Sequence, residues 1–139
     1  MNPYRRYIRI VAILLLVLWV SPSLAHHSFS AEYNVTAPLI LKGEITAVEW
    51  NNPHVFLRIA VSDSAGAAQL WHFEGGAISA LKQNGWTSTM LQQLVKSHDP
   101  VIVTGYRGRN KATAPNSEMW IEAWAKNIEL SDGRRMPFN

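Results

Sequence analysis

The 139-residue chain holds 13 Lys+Arg, 10 Asp+Glu, five histidines and no cysteine. Without cysteine there is no disulfide framework and no thiolate metal site, so the fold must rest on a hydrophobic core. Arg5, Arg6 and Arg9 form one N-terminal patch; without them the charges balance at ten each, which excludes the clustered basic surface that nucleic-acid binding needs.

Residues 1–25 read as a cleaved signal peptide. The basic patch runs into the apolar stretch Ile10 to Val20, and small residues at Ser23 and Ala25 stand three and one before the next bond. A membrane anchor is the rival reading. The 11 apolar residues fall short of the ~20 needed to span a bilayer, and Pro22 breaks any extension. Cleavage after Ala25 leaves 114 residues beginning at His26, enough for one domain in the periplasm or outside the cell. No membrane insertion is expected after cleavage.

Residues 26–38 read as an extended polar arm, and residues 39–139 as the domain. Leu39 to Trp50 is the first strand, with Leu41, Gly43, Ile45 and Ala47 on one face. Val48 and Trp50 fall out of phase, and a slip in a strand with a glycine predicts a bulge or strong coil. Asn51-Asn52-Pro53 turns the chain. Val55, Leu57, Ile59 and Val61 then alternate with His54, Phe56, Arg58 and Ala60 in the clearest strand of the sequence. A hairpin loop, Ser62 to Gly66, leads to a third strand over Gln69 to Glu74.

Two short helices follow, Ala77 to Gln83 and a second capped by Thr87 or Ser88 and running through Val95. Val101 to Tyr106 is a fourth strand and Glu118 to Leu130 a bent fifth, separated by the long loop from Arg107 to Ser117. Three strands, a helical insertion and two more strands is the order of a five-stranded OB-like barrel. An open sandwich or a roll with one packed helix is the alternative.

Several stretches carry a resemblance: Ala25-His26-His27-Ser28-Phe29, Lys42-Gly43-Glu44-Ile45, Glu49-Trp50-Asn51-Asn52-Pro53-His54, Trp71 with Phe73-Glu74, Gly85-Trp86-Thr87, Val101 to Tyr106, and Leu130-Ser131-Asp132-Gly133-Arg134-Arg135. In this order the chain resembles a family of small exported bacterial proteins whose domain has no assigned function. The resemblance implies an OB-like periplasmic domain and no established activity.

All five histidines, His26, His27, His54, His72 and His98, follow the signal. A metal site built from imidazole, carboxylate and amine suits copper, zinc or nickel. His26 at the mature terminus would offer its α-amine and ring nitrogen to one ion, and a barrel histidine would complete a T-shaped copper site. If the second and third strands pair as a hairpin, His54 comes near His72 or Glu74, so the candidate metal ligands are His26, His27, His54, His72 and Glu74. The plain alternatives are a polar, solvated start to the mature chain and a cross-strand polar ladder. His98 reads as a loop residue.

Of the five tryptophans after the signal, Trp71 and Trp86 read as core. Trp120 and Trp124 share a strand face with Glu122 and are candidates for ligand binding. Arg107, Arg109 and Lys111 form a small basic loop. Nothing in the motifs demands an enzyme, although a copper oxidase or monooxygenase belongs to the same chemistry. The expectation is a periplasmic binding protein for a transition metal, copper foremost. The competing expectation is a metal-free module that docks a periplasmic or membrane protein, or a glycan, through Trp120 and Trp124.

Overall fold

A computed structural model of the chain describes residues 29–62, 66–109 and 120–139. The expected signal peptide, His26, His27 and Lys111 lie outside the described residues. The domain starts with one helical turn, α1 (Phe29–Glu32), and passes directly into an 18-residue strand, β1 (Tyr33–Trp50). The strand therefore begins six residues before Leu39, and the segment read as an extended arm is part helix and part strand. Composition hid this because Val35 to Pro38 are exposed and carry no inward alternation.

The other strands are β2 (Val55–Ser62), β3 (Ala68–Glu74), β4 (Pro100–Gly108), β5 (Ile121–Glu129) and the short β6 (Arg135–Pro137). Between β3 and β4 lie α2 (Ile78–Gln83) and α3 (Ser88–Ser97). Sheet order is β3-β2-β1-β4-β5-β6, and a parallel pairing of β3 with β5, from Trp71 opposite Ile121 to Glu74 opposite Trp124, closes five strands into a barrel. The fold is the mostly-β, OB-like barrel that the element order predicts.

Closure depends on β1 serving two neighbours. Its second half pairs with β2 and its middle and first half with β4, so the strand must bend. The bend falls where the alternation slips: Ile45 faces Ile59, but Ala47 faces Arg58, leaving Thr46 as the extra residue. Gly43 sits just before it, where any Cβ would run into the Ala60 carbonyl oxygen. A second register shift lies between Thr104 and Gly105 of β4, and there a Cβ would overlap the Trp124 carbonyl oxygen.

The barrel interior is filled by Ile45, Val55, Leu57, Ile59, Phe73, Val101, Val103, Ala123, Ala125 and Ile128. Leu81 of α2, Leu91 of α3 and Trp86 between them add to the same core, all fully buried. Thr87 caps α3 by accepting a hydrogen bond from the Met90 N–H at 3.1 Å. The helix ends at His98, which takes the left-handed conformation with φ 56°. Trp71 is also buried.

The basic tail is structural. A turn over Ser131 to Gly133 returns the chain as β6, which pairs with the end of β5. Phe138 then enters the core with no exposure. It meets Trp86 edge-on at 5.2 Å, and the Trp86 indole N–H donates to the Pro137 carbonyl at 2.7 Å. One aromatic after a proline has no periodicity for a sequence reading to find.

Candidate functional site

Phe56 and Arg58 of β2 alternate with its buried positions and lie on the outside of the barrel, and His54 directly precedes the strand. The antiparallel β2–β3 register sets Phe56 opposite Glu74 and Arg58 opposite His72. The parallel β3–β5 register sets His72 opposite Glu122 and Glu74 opposite Trp124. Two rows result, Phe56–Glu74–Trp124 and Arg58–His72–Glu122, with His54 just beyond the first. This β2–β3 wall is the surface on which OB barrels generally present ligand contacts.

Glu74 is the hub of one half. One carboxylate oxygen meets Nδ1 of His54, and the other accepts the Tyr33 hydroxyl. An ionised carboxylate only accepts, so Nδ1 of His54 is the donor, and in the neutral ring that leaves the lone pair on Nε2. The His54 side chain is 46% exposed, while Glu74 is 22% exposed. Tyr33 is buried. Burial pushes its phenol far above the ordinary tyrosine value, reinforced by the bond to Glu74 and by the charges of Glu74, Glu32 and Glu122.

His72 forms the other half. Its Nδ1 lies 3.1 and 3.2 Å from the two Glu122 oxygens, so this ring also holds its proton toward a carboxylate. Phe56 stacks on it with centroids 4.9 Å apart and planes 12° apart, and Trp120 leans against it at 5.0 Å. Its side chain is only 14% exposed, and Nε2 is buried without a hydrogen-bond partner among the described residues.

His54, His72 and Glu74 therefore do not converge as three ligands. His54 takes Glu74 and His72 takes Glu122, and no group of three or more His, Asp and Glu fit to hold a metal occurs among the described residues. The reason is topological. Closure brings Glu122 level with His72, and Phe56 stacks on the His72 ring. Glu74 is engaged by the His54 ring and the Tyr33 hydroxyl. Glu122 was noted in the sequence only as a neighbour of the tryptophans, because a parallel β3–β5 pairing leaves no local signature.

Glu122 and Trp124 share the outer face of β5, as their spacing predicts, and Trp120 directly precedes the strand. Trp124 is covered, with Phe29 packed edge-on at 4.7 Å and Tyr106 stacked at 6.0 Å. Trp120 lies under the Arg58 guanidinium, 4.1 Å from its centroid, and Arg58 also bonds Glu49 at 2.9 Å. Arg109 holds α1 against the barrel: its Nε–H donates to the Ser30 carbonyl at 3.0 Å and its backbone N–H to the Glu32 carbonyl at 2.8 Å. His98 approaches Glu44 at 3.5 Å on an exposed surface, away from both histidine pairs.

Fold and face together define a small OB-like barrel whose outer wall presents two histidines, each steered by its own carboxylate. The chain belongs to the family of unknown function DUF6152, whose profile matches residues 14–117. No curated protein and no solved structure matches it.

Proposed function

We propose that this protein is an exported domain that binds a transition metal, copper foremost, between the mature N-terminal His26 and the Nε2 of His54. The observation that carries the reading is the carboxylate on Nδ1 of His54. Metal-binding histidines commonly donate their other ring N–H to a carboxylate, which fixes the tautomer and raises the basicity of the ligating nitrogen. His54 has that partner and an exposed ring.

The N-terminal segment supports the same reading. Phe29 packs against Tyr33 with centroids 5.0 Å apart, and Tyr33 donates to the carboxylate that holds His54. His26 precedes Phe29 by three residues, a reach of up to about 10 Å of extended chain. A terminus cut after Ala25 would carry an α-amine and an imidazole on this short tether. His72 stays with Glu122 and takes no part in this site, and a periplasmic or secreted location is the one the leader implies. No catalytic step is assigned to the metal.

Native mass spectrometry of protein exported through its own leader, with and without copper(II), tests the proposal. One retained copper on a chain starting at His26, lost when the amine is acetylated, supports it. A chain with the correct terminus that keeps no metal refutes it. The metal-free alternative, capture of a protein or glycan by Trp120 and Trp124, would require Phe29 to leave Trp124.

A further inference from the structure

A second feature of the β2–β3 wall makes no use of a metal. Between the β1 bulge and β5 lies a pocket of about 170 Å³, lined by Thr46, Ala47, Arg58, Leu70, Trp71 and Trp120. For scale, a cavity of about 150 Å³ holds benzene. The bulge helps to shape it, since Thr46 is the extra residue of β1 and its hydroxyl donates to the Arg58 carbonyl at 3.2 Å.

Two lining residues carry buried nitrogens that have no hydrogen-bond partner among the described residues, Nε of Arg58 and Nε1 of Trp71. Both groups are donors only. Trp71 is 7% exposed, so its N–H is largely shielded from bulk solvent. A buried N–H without an acceptor is unfavourable, and two such groups on residues lining one pocket call for a ligand that accepts without donating. An ionised carboxylate is the simplest group of that kind.

Charge and shape agree with that choice. Arg58 is fixed by its stacking on Trp120 and by the single bond from Nη2 to Glu49. A second guanidinium, Arg107, stands 6.0 Å from the Trp71 ring centroid. Glu49 takes Nη2 of Arg58 and Glu122 is held by His72, so the rest of the Arg58 guanidinium is the charge open to a ligand. Ala47, Leu70 and Trp120 give the remaining wall an apolar character suited to a flat carbon skeleton.

We propose that this pocket binds a small organic acid with a flat apolar body. Its carboxylate accepts from Arg58 Nε and Trp71 Nε1, and its ring lies against Leu70, Ala47 and Trp120. Glu49 competes for Arg58 and so limits the affinity.

The experiment uses benzoate and its neutral isostere benzamide, titrated at millimolar concentration into ¹⁵N-labelled mature protein and followed by the Trp71 indole N–H resonance. The expected result is a saturable shift with benzoate that is much weaker with benzamide. Arg58→Lys keeps the charge but loses the planar fork, and weakens benzoate binding roughly tenfold or more. Glu49→Gln removes the competitor and tightens it, which keeps the test informative if the Arg58 variant folds poorly. Equal shifts with both compounds, no shift with either, or a shift that ignores both substitutions overturns the proposal. Metal binding at His54 is scored separately, so either idea can fail alone.

Discussion

Tyr33 ties stability to the chemistry of the site, and its removal gives a quantitative test. The phenol is buried and donates to Glu74, and burial followed by that bond raises its pKa far above the ordinary value of 10.0. A group with a raised folded pKa supplies stability that is complete below its unfolded pKa and is lost as pH rises toward the folded value. Above pH 10 the unfolded chain releases the Tyr33 proton while the folded chain keeps it. From an unfolded pKa of about 10, the loss attributable to this residue is about 0.4 kcal/mol at pH 10 and about 1.4 kcal/mol at pH 11. Tyr33→Phe removes the hydroxyl and its bond to a charged acceptor, a cost of about 1.5–3 kcal/mol at pH 8. Urea unfolding of both proteins from pH 8 to 11 measures the gap, which should narrow by about 1.4 kcal/mol at the alkaline end. A gap that stays constant with pH would show that Tyr33 is not held neutral by Glu74 and would refute the reasoning.

Phe138→Ala should cost about 3–5 kcal/mol, because a fully buried ring leaves a cavity beside Trp86; a change below about 1 kcal/mol in the urea midpoint analysis would mean that the C-terminal tail is not part of the core. His98→Gly should raise stability by up to about 1 kcal/mol, since glycine suits the left-handed cap and the exposed contact with Glu44 contributes little; a lower unfolding midpoint would contradict this. Glu74→Gln should weaken copper binding about 10–100-fold at constant pH by removing the carboxylate charge behind the His54 ring, and an unchanged chelator-competition titration would remove Glu74 from the metal's surroundings.

How much of this was legible in the sequence depended on whether the signal was local. The alternation of Val55, Leu57, Ile59 and Val61 announced β2, and the slip after Ile45 announced the bulge that Ala47 and Arg58 confirm. Thr87 was readable as a cap because its role spans only three residues. Contacts made by closure were not readable. Glu122 reaches His72 across a parallel pairing fifty positions away, and Arg109 reaches Ser30 across 79. The histidines of the hairpin were legible as neighbours on one face, but their division between two carboxylates arises only when β5 completes the barrel. Phe138 shows the same limit in the core, as its ring lies against Gly75, where any side chain would obstruct it.

The most direct test of the central claim is the copper(II) affinity of the mature chain and of its His54→Ala variant, measured by competition with a chelator of known strength. If His26 and His54 share one ion, the variant binds at least roughly tenfold more weakly, the loss expected when one well-oriented ligand is removed. Equal affinity in the two proteins would contradict the shared site and leave any copper to the N-terminal residues alone.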